Sequence, residues 1–137
     1  TRQLGLENTV VFHGHLSQRS EVFAKLDGSD LFVTPSAAEG LPRALLEAMA
    51  RGLLAAGAAA DGVPEAVRAS ELFTVADLRA MASLMIALAR DPARLTAMSR
   101  HSVQTAARYT SEQLTPKRLR LYAALRDLAA PVLRRAA

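Results

Sequence analysis

Pro35-Ser36-Ala37-Ala38-Glu39-Gly40-Leu41-Pro42-Arg43-Ala44-Leu45-Leu46-Glu47-Ala48-Met49-Ala50 carries the passage from strand to helix on which the fold depends. It follows Leu31-Phe32-Val33-Thr34, a short β-branched and aromatic run that reads as a strand stopped by Pro35. A helix is expected over residues 42–51, ended by Gly52. The loop between them then lies at the carboxyl end of a parallel strand, the edge where such sheets bind ligands. Gly40 permits close backbone approach, and Pro42 preorganises the first helical turn without wasting a donor. Glu39 stays on the loop while Glu47 falls about one and a half turns along the helix, so two carboxylates flank one ligand position. A carboxylate suits vicinal hydroxyls because it accepts two charge-assisted hydrogen bonds. The spacing alone is common on any loop and helix, and by itself it is weak evidence.

The same grammar extends outward. Residues 9–12, Thr-Val-Val-Phe before His13-Gly14, read as a buried parallel strand, and a helix is expected over residues 18–26 with Ser17 as its cap. Residues 53–60 stand where a third strand belongs, yet Leu-Leu-Ala-Ala-Gly-Ala-Ala-Ala contains no β-branched residue and local propensity favours helix. Asp61-Gly62-Val63-Pro64 reads as a turn into a short helix ending near Ala69, and residues 72–74 as a last small strand. Beyond these, Leu78, Met81, Met85 and Leu88 mark a helix over residues 77–89. Asp91-Pro92 opens another, with Leu95, Met98 and Tyr109 on one face. Thr115-Pro116 reads as a further start, leading to Leu121, Tyr122, Leu125, Leu128 and Val132. The fold class is therefore α/β with a doubly wound parallel sheet, in one domain: an α/β part over residues 1–74 and helices over residues 75–137.

Composition agrees. Half the residues are apolar and 22% are charged, which excludes a disordered segment, and alanine and leucine in place of aromatic residues imply a helix-rich core. With no cysteine there is no disulfide, thiolate metal site or cysteine nucleophile, and a cytoplasmic location is expected. No signal core stands at Thr1-Arg2 and no apolar run reaches the membrane-spanning length of about 20 residues. Residues 1–89 carry seven basic and ten acidic groups, residues 90–137 ten and three. The arginines of the second part are spaced through amphipathic helices, where a solvated face is the usual explanation; nucleic acid is not an expected partner, and peripheral membrane contact has no further support.

The run Pro-Ser, Glu-Gly, Pro, then Leu-Leu-Glu-Ala-Met-Ala and Gly resembles the signature of the retaining GT-B glycosyltransferases of family 4, with their Glu-x7-Glu motif at Glu39 and Glu47. The resemblance continues through Asp61-Gly62-Val63-Pro64-Glu65, similar to the family's Gly-Gly-x-Pro-Glu turn, and back to residues 10–14 and 29–33. It implies the C-terminal, nucleotide-sugar-binding half of a GT-B fold, truncated at its N-terminus. Glu39 is then a catalytic-site group contacting donor sugar hydroxyls, and Glu47 holds the ribose. Gly40, Leu41 and Pro42 line the diphosphate through backbone, with Ser36 and Gly62 in the same donor-binding set. The donor is a nucleotide-diphosphate sugar, and the reaction needs no metal or other cofactor. The acceptor-binding domain and the Arg and Lys pair that neutralises the leaving group lie outside the chain, so activity alone is not expected. The alternative is a degenerate, non-catalytic remnant or interaction fragment of that fold.

Two departures bear on this. Asp61 stands where the family has its first glycine, which places a negative side chain where bare backbone would meet a sugar phosphate. Leu54, Ala55, Ala56 and Gly57 replace a β-branched strand. His13 is a further catalytic candidate at a strand end; alternation places it on the same side as His15, and two histidines alone do not make a zinc site. His101, in a late helix, reads as structural. A sheet lacking a strand leaves an exposed edge, which predicts self-association.

Overall fold

The computed structural model describes residues 1–135, of which Ala129 is the last with a described side chain. Its elements are α1 (Arg19–Asp27), β1 (Leu31–Thr34), α2 (Arg43–Ala50), β2 (Leu54–Ala58), α3 (Val63–Ala66), β3 (Leu72–Phe73), α4 (Leu78–Ala89), α5 (Pro92–Ala106) and α6 (Ser111–Arg135). Short 3₁₀ turns cover Arg2–Leu4, Ala69–Glu71 and Ala107–Tyr109. The three strands form one parallel sheet in the order β1-β2-β3, with Thr34 opposite Gly57 and Ala58 opposite Phe73. This is the α/β architecture that the strand and helix order predicts. Among the described residues no helix is long and apolar enough to cross a membrane.

The central strand is the segment whose residues argue for helix. All five residues of β2 are buried, and their alternation feeds two core layers. Ala55 joins Leu45, Met49, Val63, Ala66, Val67 and Ala106 on one face. Leu54 and Ala56 join Leu88 and Met98 on the other, with Leu31, Leu84 and Leu95 packed at its margin. Pairing on both edges and helices on both faces override local propensity, and small side chains let those helices approach closely. Gly57 is the limiting case: a Cβ there would lie 2.6 Å from Val63 Cγ1 and 3.1 Å from Thr34 Cγ2.

Three expectations are corrected. Residues 9–12 form no strand; Val10, Val11 and Phe12 are 39%, 67% and 81% exposed. Their β-branched character supplies propensity, but a strand needs a neighbour, and among the described residues β1 pairs only with β2. The last helix begins at Ser111, with Thr110 Oγ1 accepting from the Gln113 amide at 3.4 Å, and runs through Pro116 instead of starting there. Its Leu121, Tyr122, Leu125 and Leu128 are exposed, so Tyr122 is not a packing residue; Val132 has no described side chain. The cap of α1 is Gln18, not Ser17, its amide donating to Glu21 Oε2 at 3.2 Å.

The starts of α4 and α5 are marked by short polar side chains. Asp77 Oδ1 accepts from the Ala80 amide at 2.8 Å and Asp91 Oδ1 from the Arg94 amide at 2.9 Å. In α4 the core is met by Leu88, with Leu84 at its margin, while Leu78 and Met85 face outward. One carboxylate is fully internal. Glu71 is 2% exposed and is held by Arg94, Nη2 to Oε1 3.1 Å, which ties the turn before β3 to α5. His101 lies beside this pair, its Nε2 3.3 Å from Thr105 Oγ1. Burial, then the charges of Arg68 and Arg108, hold its imidazole below the ordinary 6.5, against an opposing pull from Glu71.

Gly57→Ala should destabilise the chain by about 1–3 kcal/mol, read from urea unfolding, because the added methyl has no room against Val63. The depressed His101 value fixes a sign as well. The unfolded chain binds more protons than the folded one just below pH 6.5, so stability should fall as pH drops from there and level off below the folded value. Melts of the parent and His101→Gln between about pH 7.5 and 5 should differ by that step.

Candidate functional site

The loop of residues 35–42 leaves the carboxyl end of β1 and enters α2, and the turn of residues 59–62 leaves the carboxyl end of the neighbouring β2. Parallel pairing therefore brings the two to the same sheet edge. Their contact is close. A Cβ on Gly62 would fall 2.6 Å from Leu41 N, 2.9 Å from its Cα and 3.0 Å from Gly40 C, so only glycine lets the loop rest on the turn. Gly62 is buried beneath Gly40 and Leu41 and acts as the seat of the loop.

Glu39 is exposed at the loop's tip and is held from two directions. Ser36 Oγ donates to Glu39 Oε1 at 3.2 Å, and the Glu39 amide donates to Asp61 Oδ2 at 2.8 Å. Asp61 reaches it from a left-handed backbone conformation, φ 43°. That region is uncommon for a residue with a side chain, though Asp and Asn enter it more readily than most. Pro42 stands at the N-cap of α2 in an extended conformation and Arg43 is its first helical residue.

Glu47 lies on α2, half-buried, and its Oε1 accepts from Arg19 Nη2 at 3.3 Å. Arg19 opens α1, and its guanidinium also sits 4.9 Å from the Phe23 ring centroid, with Arg51 on the same ring at 4.6 Å. Glu47 is the carboxylate of an open groove of about 570 Å³ whose other walls include Arg19, Arg43, Tyr109, Ser111 and Arg118. Three guanidiniums against one carboxylate make this groove cationic, and its size falls in the ordinary range for small-molecule sites, about 300–1,000 Å³. Such a surface accepts an anion and at the same time offers one strong acceptor for hydroxyls. A second groove, about 470 Å³, lies beside Asp27, Asp30, Arg51 and Arg100 at the amino ends of β1 and β2. There Asp27 and Arg51 already satisfy each other, and the amino ends are not where parallel sheets bind ligands.

The expected site residues thus form two adjoining sets. Ser36, Glu39, Gly40, Leu41 and Gly62 make the loop and its seat, Pro42 leads into α2, and Glu47 stands in the groove beyond. Glu39 is not a wall of that groove. His13 joins neither set by a hydrogen bond among the described residues, and with no strand at residues 9–12 the alternation that would align it with His15 is absent. Among the described residues no group of three His, Cys, Asp or Glu side chains could hold a metal ion. Arg19 and Arg118 were not legible as site residues, because each is one arginine on an amphipathic helix until tertiary packing sets it beside Glu47.

Comparison with known proteins adds a family. The model described as Glycosyl transferases group 1 matches residues 1–108. A putative colanic acid biosynthesis glycosyltransferase from Escherichia coli (strain K12) is 36% identical over 97 residues, which is 64% of this chain and 24% of that protein. The chain thus spans about a quarter of the length of that relative.

Arg19 is 71% exposed, so its ion pair with Glu47 should contribute little to folding. Arg19→Ala should change the unfolding free energy by less than about 1 kcal/mol. A larger loss in urea titration would mean that the pair fastens α1 to α2 instead of furnishing the groove.

Proposed function

Because the chain belongs to the group 1 glycosyl transferases, we propose that it supplies the donor side of a transfer from a nucleotide-diphosphate sugar to an acceptor, with retention at the anomeric carbon. The observation that carries this is the placement of Glu39 and Glu47 on either side of the α2 N-terminus at the carboxyl edge of the sheet, with the cationic groove around Glu47. In this reading Glu47 holds the ribose hydroxyls and Glu39 the hydroxyls of the sugar. The diphosphate lies between them along Gly40, Leu41 and Pro42, with Ser36 keeping Glu39 in place.

The reading follows the charge. A departing nucleoside diphosphate accumulates negative charge, and transfer speeds up when fixed donors and cations await it. The first-turn amides of α2 face that position. Arg43, at the start of the same helix, and Arg19 and Arg118 across the groove supply positive charge without a metal. Arg19 has a further part, since its contact with Glu47 Oε1 orients the carboxylate for a diol.

Titrating the chain with UDP and with GDP should move the amide resonances of residues 39–47, and no movement at millimolar ligand would remove the reading. Glu47→Ala should weaken nucleoside diphosphate binding by about tenfold. Glu39→Ala should leave it within about twofold while weakening the sugar-bearing donor, since Glu39 faces the sugar and not the nucleotide.

A further inference from the structure

The geometry points to Asp61 as the residue that sets how tightly this chain holds an anionic donor: its carboxylate occupies the Glu39 amide, a contact the donor has to displace. The inference rests on the donor-site reading of the Glu39 loop and concerns a residue that reading leaves unassigned.

An amide N–H offers one hydrogen bond, and that of Glu39 is spent on Asp61 Oδ2 at 2.8 Å. The contact is fixed from below. Asp61 is held in its turn by Ala60 N to Ala58 O, 2.8 Å, and Val63 N to Ala60 O, 3.1 Å, and the adjacent Gly62 is pressed against Leu41. The backbone at Asp61 is therefore fixed relative to the loop by a turn tied to the core through Val63, and its carboxylate leaves the Glu39 amide by turning about χ1. Both Asp61 and Glu39 are exposed, so the contact between them is open to solvent and within reach of a ligand.

The consequence is competition at one donor and repulsion beside it. An anion that follows the backbone of residues 39–42 meets the Asp61 carboxylate where it would find an N–H. Two carboxylates, Asp61 and Glu39, then border the Glu39 amide. Binding a diphosphate requires Asp61 to release that amide, and the cost subtracts from affinity. Glycine is the natural substitute, because φ 43° is unstrained without a Cβ, so Asp61→Gly frees the amide and keeps the turn. Asp61→Asn tolerates the same backbone, keeps an oxygen able to accept from Glu39 and removes only the charge.

Calorimetric titration of the whole chain with UDP and GDP tests this. Asp61→Gly should bind the preferred nucleoside diphosphate about tenfold more tightly than the parent, and Asp61→Asn should fall between them. In Asp61→Gly the Glu39 amide proton should also exchange faster with solvent. Glu7→Gln removes one negative charge from the N-terminal turns and should change affinity less than about twofold. Unchanged or weaker binding in Asp61→Gly overturns the inference, as does tighter binding in Asp61→Asn than in Asp61→Gly, which would make the amide contact an aid to the ligand. Equal tightening in Glu7→Gln overturns it too, since the effect would then be net charge. If the parent and all variants bind neither nucleotide at millimolar concentration, the donor-site reading fails and takes this inference with it. A parent that binds, with an Asp61→Gly that does not improve, removes the Asp61 inference alone.

Discussion

Val63 packed over Gly57 is the contact through which the core reaches the site. β2 is buried along its whole length, and after Leu54 its residues are only alanine and glycine, which lets its neighbours approach closely. At Gly57 the allowance is greatest: Val63 on one side and Thr34 of the neighbouring strand on the other fill the space a side chain would take. Val63 begins α3, so its position fixes where the turn of residues 59–62 can run. Gly62, the last residue of that turn, carries no Cβ and lets Gly40 and Leu41 settle on it. A succession of close approaches, Gly57 to Val63 and Gly62 to Leu41, thereby transmits the register of a parallel sheet into the position of an exposed loop. The loop needs this support, because Glu39 has no burial of its own to hold it.

The ion pairs divide by environment. Arg94 to Glu71 joins a half-exposed guanidinium to a carboxylate that is 2% exposed, and losing the arginine would strand a buried charge. Its work is structural: it binds the turn before β3 to α5. Arg51 to Asp27 is more open, and Arg51 is further placed by the Phe23 face; its hydrogen bond holds the Asp27 carboxyl below the usual range. Arg19 to Glu47 is the most exposed of these three, judged by its arginine, and the one that borders the cationic groove. Screening makes such a pair a poor brace, while solvent access leaves both groups open to a ligand. The same chemical pairing thus fastens elements at one place and equips a surface at another, with burial deciding which.

What could be read beforehand follows the range of the interaction involved. Asp77, Asp91, Pro42 and Pro64 announce helix starts because a cap or a fixed φ acts within a few residues. The strand before Pro35 and the loop after it were legible for the same reason. β2 defied its propensity because its environment, two strand neighbours and helices on both faces, is supplied by residues far away in sequence. Residues 9–12 failed in the opposite sense, having the propensity without the neighbour. Pro116 looked like a start because proline favours first turns, yet Thr110 provides a cap five residues earlier than Thr115 and the helix runs through. In the site, Glu39 and Glu47 were visible through their motif. Arg19 and the grip of Asp61 on the Glu39 amide depend on sequence separations of 28 and 22 residues and had no local sign.

The separation of Glu39 from the groove constrains what shape of ligand can use both. From Arg43 to Glu47 the helix rises about 6 Å, and the loop tip lies beyond the opposite end of that interval. A molecule that engages both needs hydroxyls at each end and tolerates, between them, the amides and positive charge gathered at the start of α2. In the proposed donor reading, a diphosphate with a ribose on one side and a sugar on the other supplies that order of groups. Asp61 enters this scheme at the junction between the middle and the sugar end, where one carboxylate on one amide changes the balance between anion and hydroxyl recognition without altering either end. The fold therefore fixes the spacing of the two glutamates, and the residue at position 61 adjusts how strongly the segment between them attracts an anion.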